Sequence, residues 1–413
     1  MSRRRASNSE SLVSPSANEA VAYPFAGMQQ NRTYAQRRGP IEGPGGRRLT
    51  RRVTWRSSTY KLMASLWVLG VLYIVWLIRD IFYLPFSYSS NPATEANAGD
   101  DLLAQYVGRE KCGISSHALY LPPHSGGEPA LNELYCQSRE SLLSSMSNGG
   151  RHGFDAPYTS QSCFYRWYTE TDICEILGRF DGILFIGDDA LANTYAGFNI
   201  LLRQDLKEGS LREWEISSSL REKCGCDTQF TDPICSSARI TSSEELYSED
   251  GKKTQTPYIC STNTPHLFLS VTDSPAPSSA HDKFKSLLAR ASNEKKKPIA
   301  VIQSISLSTS YSLETATNSI DEWLTLAKTS ARSTPFLWVG PTAPGHQKPP
   351  GDNVHATSWK YTQDTAQVAQ SKGIDVLGMY NATLQAESWD GMHYGEEVAL
   401  MQAMMTVNWL ASL

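Results

Sequence analysis

The chain has almost no net charge, −4 over 413 residues, which excludes a uniformly basic nucleic-acid binder. It has no glycine-every-third pattern and no second long apolar run, which excludes a collagen-like chain and a multi-span membrane protein. No internal repeat is evident, and no histidine pair stands at metal-ligand spacing. Apolar residues reach only 40%, a little below the globular norm, so part of the chain is expected to stay unpacked. Cysteine is absent from the first 111 residues.

The near-neutral total hides an asymmetry. Eleven Arg and one Lys against three Glu give residues 1–61 a charge of +9, leaving −13 for the other 352. Residues 1–60 are rich in Ser, Arg, Gly and Pro without apolar periodicity and read as a disordered basic cytosolic tail. Its Arg pairs, such as Arg37-Arg38 and Arg51-Arg52, suit an anionic membrane face or a trafficking signal. Leu62 to Ile78 is an uncharged run of 17 residues, about 26 Å long as a helix, enough for a thin bilayer. A buried core helix is the plainer reading, but Arg51, Arg52, Arg56 and Lys61 before the run outweigh Arg79 after it. That bias predicts a single-pass type II signal anchor with its N-terminal side in the cytosol.

All eight cysteines, Cys112, Cys136, Cys163, Cys174, Cys224, Cys226, Cys235 and Cys260, follow this run. An even number confined to the exported side predicts disulfides in an oxidising lumen, though spacing selects no pairing. Cys224-Gly-Cys226 as half of a zinc site lacks a nearby His at ligand spacing. Asn381-Ala-Thr383 is a glycosylation sequon on the exported side, whereas Asn31-Arg-Thr33 would face the cytosol.

Residues 79–105 read as a stem, with the lumenal domain over 106–413. Five apolar runs predict strands, at 182–186, 266–271, 298–305, 336–339 and 374–377. Leu191, Tyr195, Phe198, Leu202 and Leu206 predict a helix after the first. Others are expected over Leu313 to Ala327, near Tyr361–Ser371 and over Glu396 to Leu413. Residues 106–165 resist assignment, and 272–281 read as a loop. This alternation predicts an α/β fold, a three-layer, mostly parallel sheet flanked by helices, with ligands at the carboxyl ends of the strands.

Two motifs fall at such ends. Gly187-Asp188-Asp189 follows the first predicted strand, and Asp390-Gly-Met-His393 precedes the last helix, about twenty residues from the C-terminus. An Asp three residues before a His can hold imidazole Nδ1 and leave Nε2 as a base. Asp188-Asp189 also suits an ordinary turn and helix N-cap.

The layout resembles the SGNH (GDSL-type) hydrolases. It is most similar to their membrane-anchored branch of trichome-birefringence-like O-acetyltransferases and PC-esterase domains. The matching residues are Phe185-Ile-Gly-Asp-Asp189 and Trp389-Asp-Gly-Met-His-Tyr394, within 160–413. The resemblance implies a type II protein with a Golgi-facing domain, catalytic Asp390 and His393, a glycan or polysaccharide partner, no nucleic acid and no cofactor. It also implies a nucleophilic Ser where this chain has Asp189, so the site is expected to be degenerate or altered. The oxyanion-hole Asn has no match either; Ser306–Ser312 stands in its place. One alternative is an active acyl esterase or transferase using Ser306, Ser308 or Thr309. Another is a lumenal glycosyltransferase in which Asp188 and Asp189 hold Mn²⁺ or Mg²⁺. The aromatic cluster Phe164-Tyr165-Trp167-Tyr168 is expected to serve packing before sugar stacking. Most histidines other than His393 are expected on the surface or in loops.

Overall fold

A computed structural model describes residues 61–74, 101–122, 134–247, 256–261, 264–289, 296–330, 332–345 and 353–413. The chain divides into two units, Met1–Pro92 and Ala93–Leu413. In the first, residues 61–74 are helical and exposed. The expected tail, the end of the expected anchor at 75–78 and stem residues 79–100 lie outside the described residues. Among the described residues no helix is long and apolar enough to cross a membrane.

The second unit is built on five parallel strands: β1 (Gly182–Gly187), β2 (His266–Ser270), β3 (Ile299–Ser304), β4 (Phe336–Val339) and β5 (Asp375–Leu377). Their spatial order is β2-β1-β3-β4-β5, with Phe185 of β1 opposite Phe268 on one side and Ile302 on the other. The chain order reverses at β1, so the gap between β1 and β3 is the switch point at which such sheets bind ligands.

Every residue of β1 and β3 is buried. Alternation sends Ile183 and Phe185 into one core and Leu184 and Ile186 into the other, which is why these strands read as continuous apolar runs. Four helices bear on the first face: α1 (Arg139–Asn148), α2 (Glu170–Leu177), α3 (Asp189–Arg203) and α7 (Glu396–Ala411). The second face is covered by α4 (Ser278–Ala289), α5 (Leu313–Lys328) and α6 (Val354–Ser371). The predicted three-layer arrangement is therefore present.

The α3–α7 contact is close because Gly197 lacks a side chain; a Cβ there would meet the carbonyl of Ala399. Nearly all of α7 is buried, as its apolar composition on every side requires.

Some boundaries differ from expectation. Leu103 is fully buried in the first core, so the packed domain reaches back into the expected stem. The expected loop at 272–281 gives way to α4 at Ser278, where Phe284, Leu287 and Leu288 supply an apolar face. Helix α6 begins at Val354, ahead of the expected start near Tyr361, which places His355 on the helix.

All eight cysteines are paired, as Cys112–Cys226, Cys136–Cys163, Cys174–Cys260 and Cys224–Cys235. Cys224 and Cys226 thus serve two different bridges, and neither is free for zinc. Tyr165 is buried and stacks on Tyr120 at 4.1 Å, while Phe164, Trp167 and Tyr168 pack against the same core. The aromatic cluster is packing.

Candidate active site

Gly187 ends β1 where the backbone runs tight against β3, and a Cβ there would collide with the Ser304 carbonyl. The next residue turns inward. Asp188 is 2% exposed, and its Oδ2 accepts from the Ser306 amide at 2.8 Å and the Ser306 hydroxyl at 3.3 Å. The Ser308 amide and hydroxyl lie at 3.4 Å. Burial pushes this carboxyl up, the Ser306 and Ser308 hydrogen bonds oppose that, and the Asp189 charge adds to the rise. Asp188 thus ties the end of β1 to the loop after β3. Ser306 and Ser308 spend their hydroxyls on this tie.

Asp188 is also the N-cap of α3, but its side chain does not cap; its carbonyl accepts from Leu191 and Ala192. Asp189, the expected cap, is the first helical residue and is exposed.

The second motif is held from several sides. Asp390 Oδ1 accepts from the amides of Met392 at 2.8 Å and His393 at 2.7 Å. Its Oδ2 lies 2.7 Å from His393 Nδ1. Burial acts to raise the Asp390 carboxyl, but the hydrogen bonds from His393 and Met392 prevail and hold it below the usual range. Gly391, at φ 88, allows the tight turn, and its carbonyl accepts from Gly345. Trp389 stacks on the imidazole, with centroids 5.8 Å apart. A carboxylate on Nδ1 fixes the proton there and leaves Nε2 as an acceptor.

The two motifs meet. Asp189 and His393 line one cavity of about 290 Å³, together with Asn193, Phe230, Arg239, Phe268 and Trp389. Larger cavities of about 610 and 560 Å³ contain neither Asp189, Asp390 nor His393, so size does not mark the chemistry. Arg239 donates to the Gln229 carbonyl at 2.8 Å and to Asn193 Oδ1 at 2.7 Å. Burial pushes its guanidinium down to about 10, against the attraction of Asp189. Among the described residues, neither His393 Nε2 nor the Asp189 carboxylate makes a hydrogen bond. The cavity therefore holds an oriented base, a carboxylate and a half-buried cation among aromatic side chains.

At the level of known proteins, no family model and no curated protein matches the chain. Solved structures similar to it include two esterase-type proteins. A member of the lipolytic G-D-S-L family from Veillonella parvula is 10% identical, covering 55% of this chain and 95% of its own, with a TM-score of 0.28. Est24, a carbohydrate acetylesterase from Sinorhizobium meliloti, is 12% identical, covering 56% and 98%, also at 0.28. Superpositions this loose carry nothing about activity.

Asp188 and Asp189 do not converge, since one carboxylate is turned into the protein and the other lines the cavity. The metal-pair alternative gains no support from this geometry. Thr309 donates to the Ser306 carbonyl at 3.0 Å. Asn381 is half-buried, and its amide donates to the Ser147 carbonyl at 3.2 Å. His266 is not a surface residue: it is buried on β2 against Tyr195, and burial pushes it down to about 3. His281 pairs with Glu322 at 2.6 Å, and His355 meets Tyr380 at 3.2 Å. His346 lies outside the described residues. Sequence reasoning missed Arg239 and Asn193, which no motif marks, and gave Trp389 no role.

Proposed function

We propose that the domain is an SGNH-like glycan-recognising module in which serine-type acyl-ester chemistry is absent or altered. One observation carries this reading. An oriented His393 shares its cavity with a carboxylate, Asp189, where a nucleophilic hydroxyl is needed. A carboxylate attacking an ester would form an anhydride, which lies above the ester in energy, and a carboxylate offers His393 no hydroxyl proton to remove. Ser306 and Ser308 do not replace it, because their hydroxyls bind Asp188. The unmatched oxyanion Asn compounds the loss, since one such donor is worth about 10²–10³ in rate. Phe230, Phe268 and Trp389 give the cavity apolar lining of the kind that meets the C–H groups of a sugar ring.

The test is hydrolysis of acetylated polysaccharide and of simple acetyl esters by the purified protein, beside His393→Ala. The expected result is no turnover above that of the variant. Turnover that depends on His393 would overturn the inactive form of the proposal.

We further propose that residues 62–78 anchor this module as a single-pass type II protein, with 1–60 cytosolic and 106–413 in a secretory lumen, the Golgi being the expected compartment. The +9 charge before the run and the four disulfides after it support this topology. Protease added to sealed microsomes should trim the tail and spare the domain. Digestion of the domain in intact vesicles would refute the topology.

A further inference from the structure

Trp389 lines two cavities. One is the His393 cavity. The other, of about 320 Å³, is lined by Asp155, Asp227, Glu387, Glu396 and Glu397. These five acids come from four separate parts of the chain, and the Cys112–Cys226 bridge fixes one wall beside Asp227. Among the described residues, no Lys or Arg lines this cavity. Arg151 approaches Asp155 at 3.7 Å and also acts on Glu397, which offsets part of the negative charge.

Acids in the first turn of a helix are ordinary, because they suit the dipole. Glu396 and Glu397 open α7, and Asp227 Oδ1 accepts the Glu396 amide at 2.8 Å. That explains Asp227. It does not explain the Glu396 side chain, which is 1% exposed with neither carboxylate oxygen hydrogen-bonded. A buried carboxyl with both oxygens bare is costly unless it takes a proton or meets a cationic donor. No group of three or more acidic, His or Cys side chains among the described residues is disposed to hold a metal ion. An ammonium group has looser demands: three donors and one charge.

The geometry points to a subsite for the protonated amine of an amino sugar in this acid-lined cavity, held by Glu397 and Asp227 above the buried Glu396 and sharing Trp389 with the His393 cavity. This rests on the glycan reading above and narrows it to glycans carrying free amines. Burial, and then the charges of Asp227, Glu397 and Asp205, all push the Glu396 carboxyl up. Around Glu397, Asp155, Asp227 and Glu387 act in the same sense and Arg151 against it. An incoming ammonium pulls these raised carboxyls back down, so its binding is coupled to proton release.

The test is calorimetric titration of the detergent-solubilised full-length protein with a glucosamine tetramer, in two buffers of different ionisation enthalpy. N-acetylglucosamine tetramer and hexalysine serve as parallel probes. The glucosamine tetramer should bind with proton release, and its acetylated counterpart at least about ten-fold more weakly, the worth of a hydrogen-bonded charge. Glu396→Gln and Glu397→Gln, both near-isosteric, should each weaken the free-amine probe by about the same factor. If either variant fails to fold, the comparison of the two tetramers on the unaltered protein still decides. Equal binding of the two tetramers, no binding of the glucosamine tetramer, or hexalysine binding as tightly as it would each overturn the proposal. The titration reads amine binding and not turnover, so it stands or falls separately from the ester assay.

Discussion

Glu397→Gln should remove a stability cost that grows with pH. Glu397 is packed near Asp155, Asp227 and Glu387. Burial first, then Asp155, pushes its carboxyl from 4.5 up to about 7, against the pull of Arg151. Between those two values the folded protein keeps a proton that the unfolded chain has released. Stability therefore falls as pH rises through that window, and the full cost is present above about pH 7. At about 1.4 kcal/mol per pH unit, the cost reaches roughly 3 kcal/mol. Gln resembles the protonated acid, so the variant and the parent should unfold alike near about pH 5. Near about pH 8 the variant should be more stable by roughly that amount, a rise of several degrees in midpoint. Thermal or urea denaturation across this range reads the difference directly. Parallel pH profiles for the two proteins would refute the reasoning, as would a parent that gains stability relative to the variant on going alkaline.

Arg203 is fully buried, pairs with Glu213 at 2.8 Å and donates to the Leu211 carbonyl at 2.9 Å. Arg203→Met should therefore cost about 3–5 kcal/mol in urea denaturation by stranding that carboxylate. Gly187→Ala forces a methyl against the Ser304 carbonyl, a backbone atom that cannot swing away, and should cost about 1–3 kcal/mol or more in the same assay. Removing Cys112–Cys226, which closes a separation of 114 residues, should lower the melting midpoint more than removing Cys224–Cys235, which closes 11. Loop entropy alone puts the two near about 5 and about 3 kcal/mol.

The central strands β1, β3 and β4 were legible because each lies between two helical layers and so reads as a largely apolar run. Helix α4 was not, since its first residues, Ser278-Ser279, continue a Pro- and Ser-rich stretch that looks like loop. The site was half legible. Asp390 and His393 act on each other across three residues, so their spacing shows the bond. The division of labour between Asp188 and Asp189 depends on Ser306, 118 residues away, and no local pattern reports it. Arg239 is held by a carbonyl and by Asn193, partners without a motif. The acid cavity gathers side chains that only the tertiary fold and a disulfide bring together.

The central claim is that position 189 presents its side chain to His393, and that the carboxylate there is what withholds ester chemistry. Mass spectrometry after treatment with a fluorophosphonate, which labels activated serine hydroxyls, tests it directly on Asp189→Ser. The account predicts labelling at position 189 in that variant, none in the parent, and loss of label when His393→Ala is added. A serine at 189 that stays unlabelled in a folded protein, or labelling indifferent to His393, would contradict it.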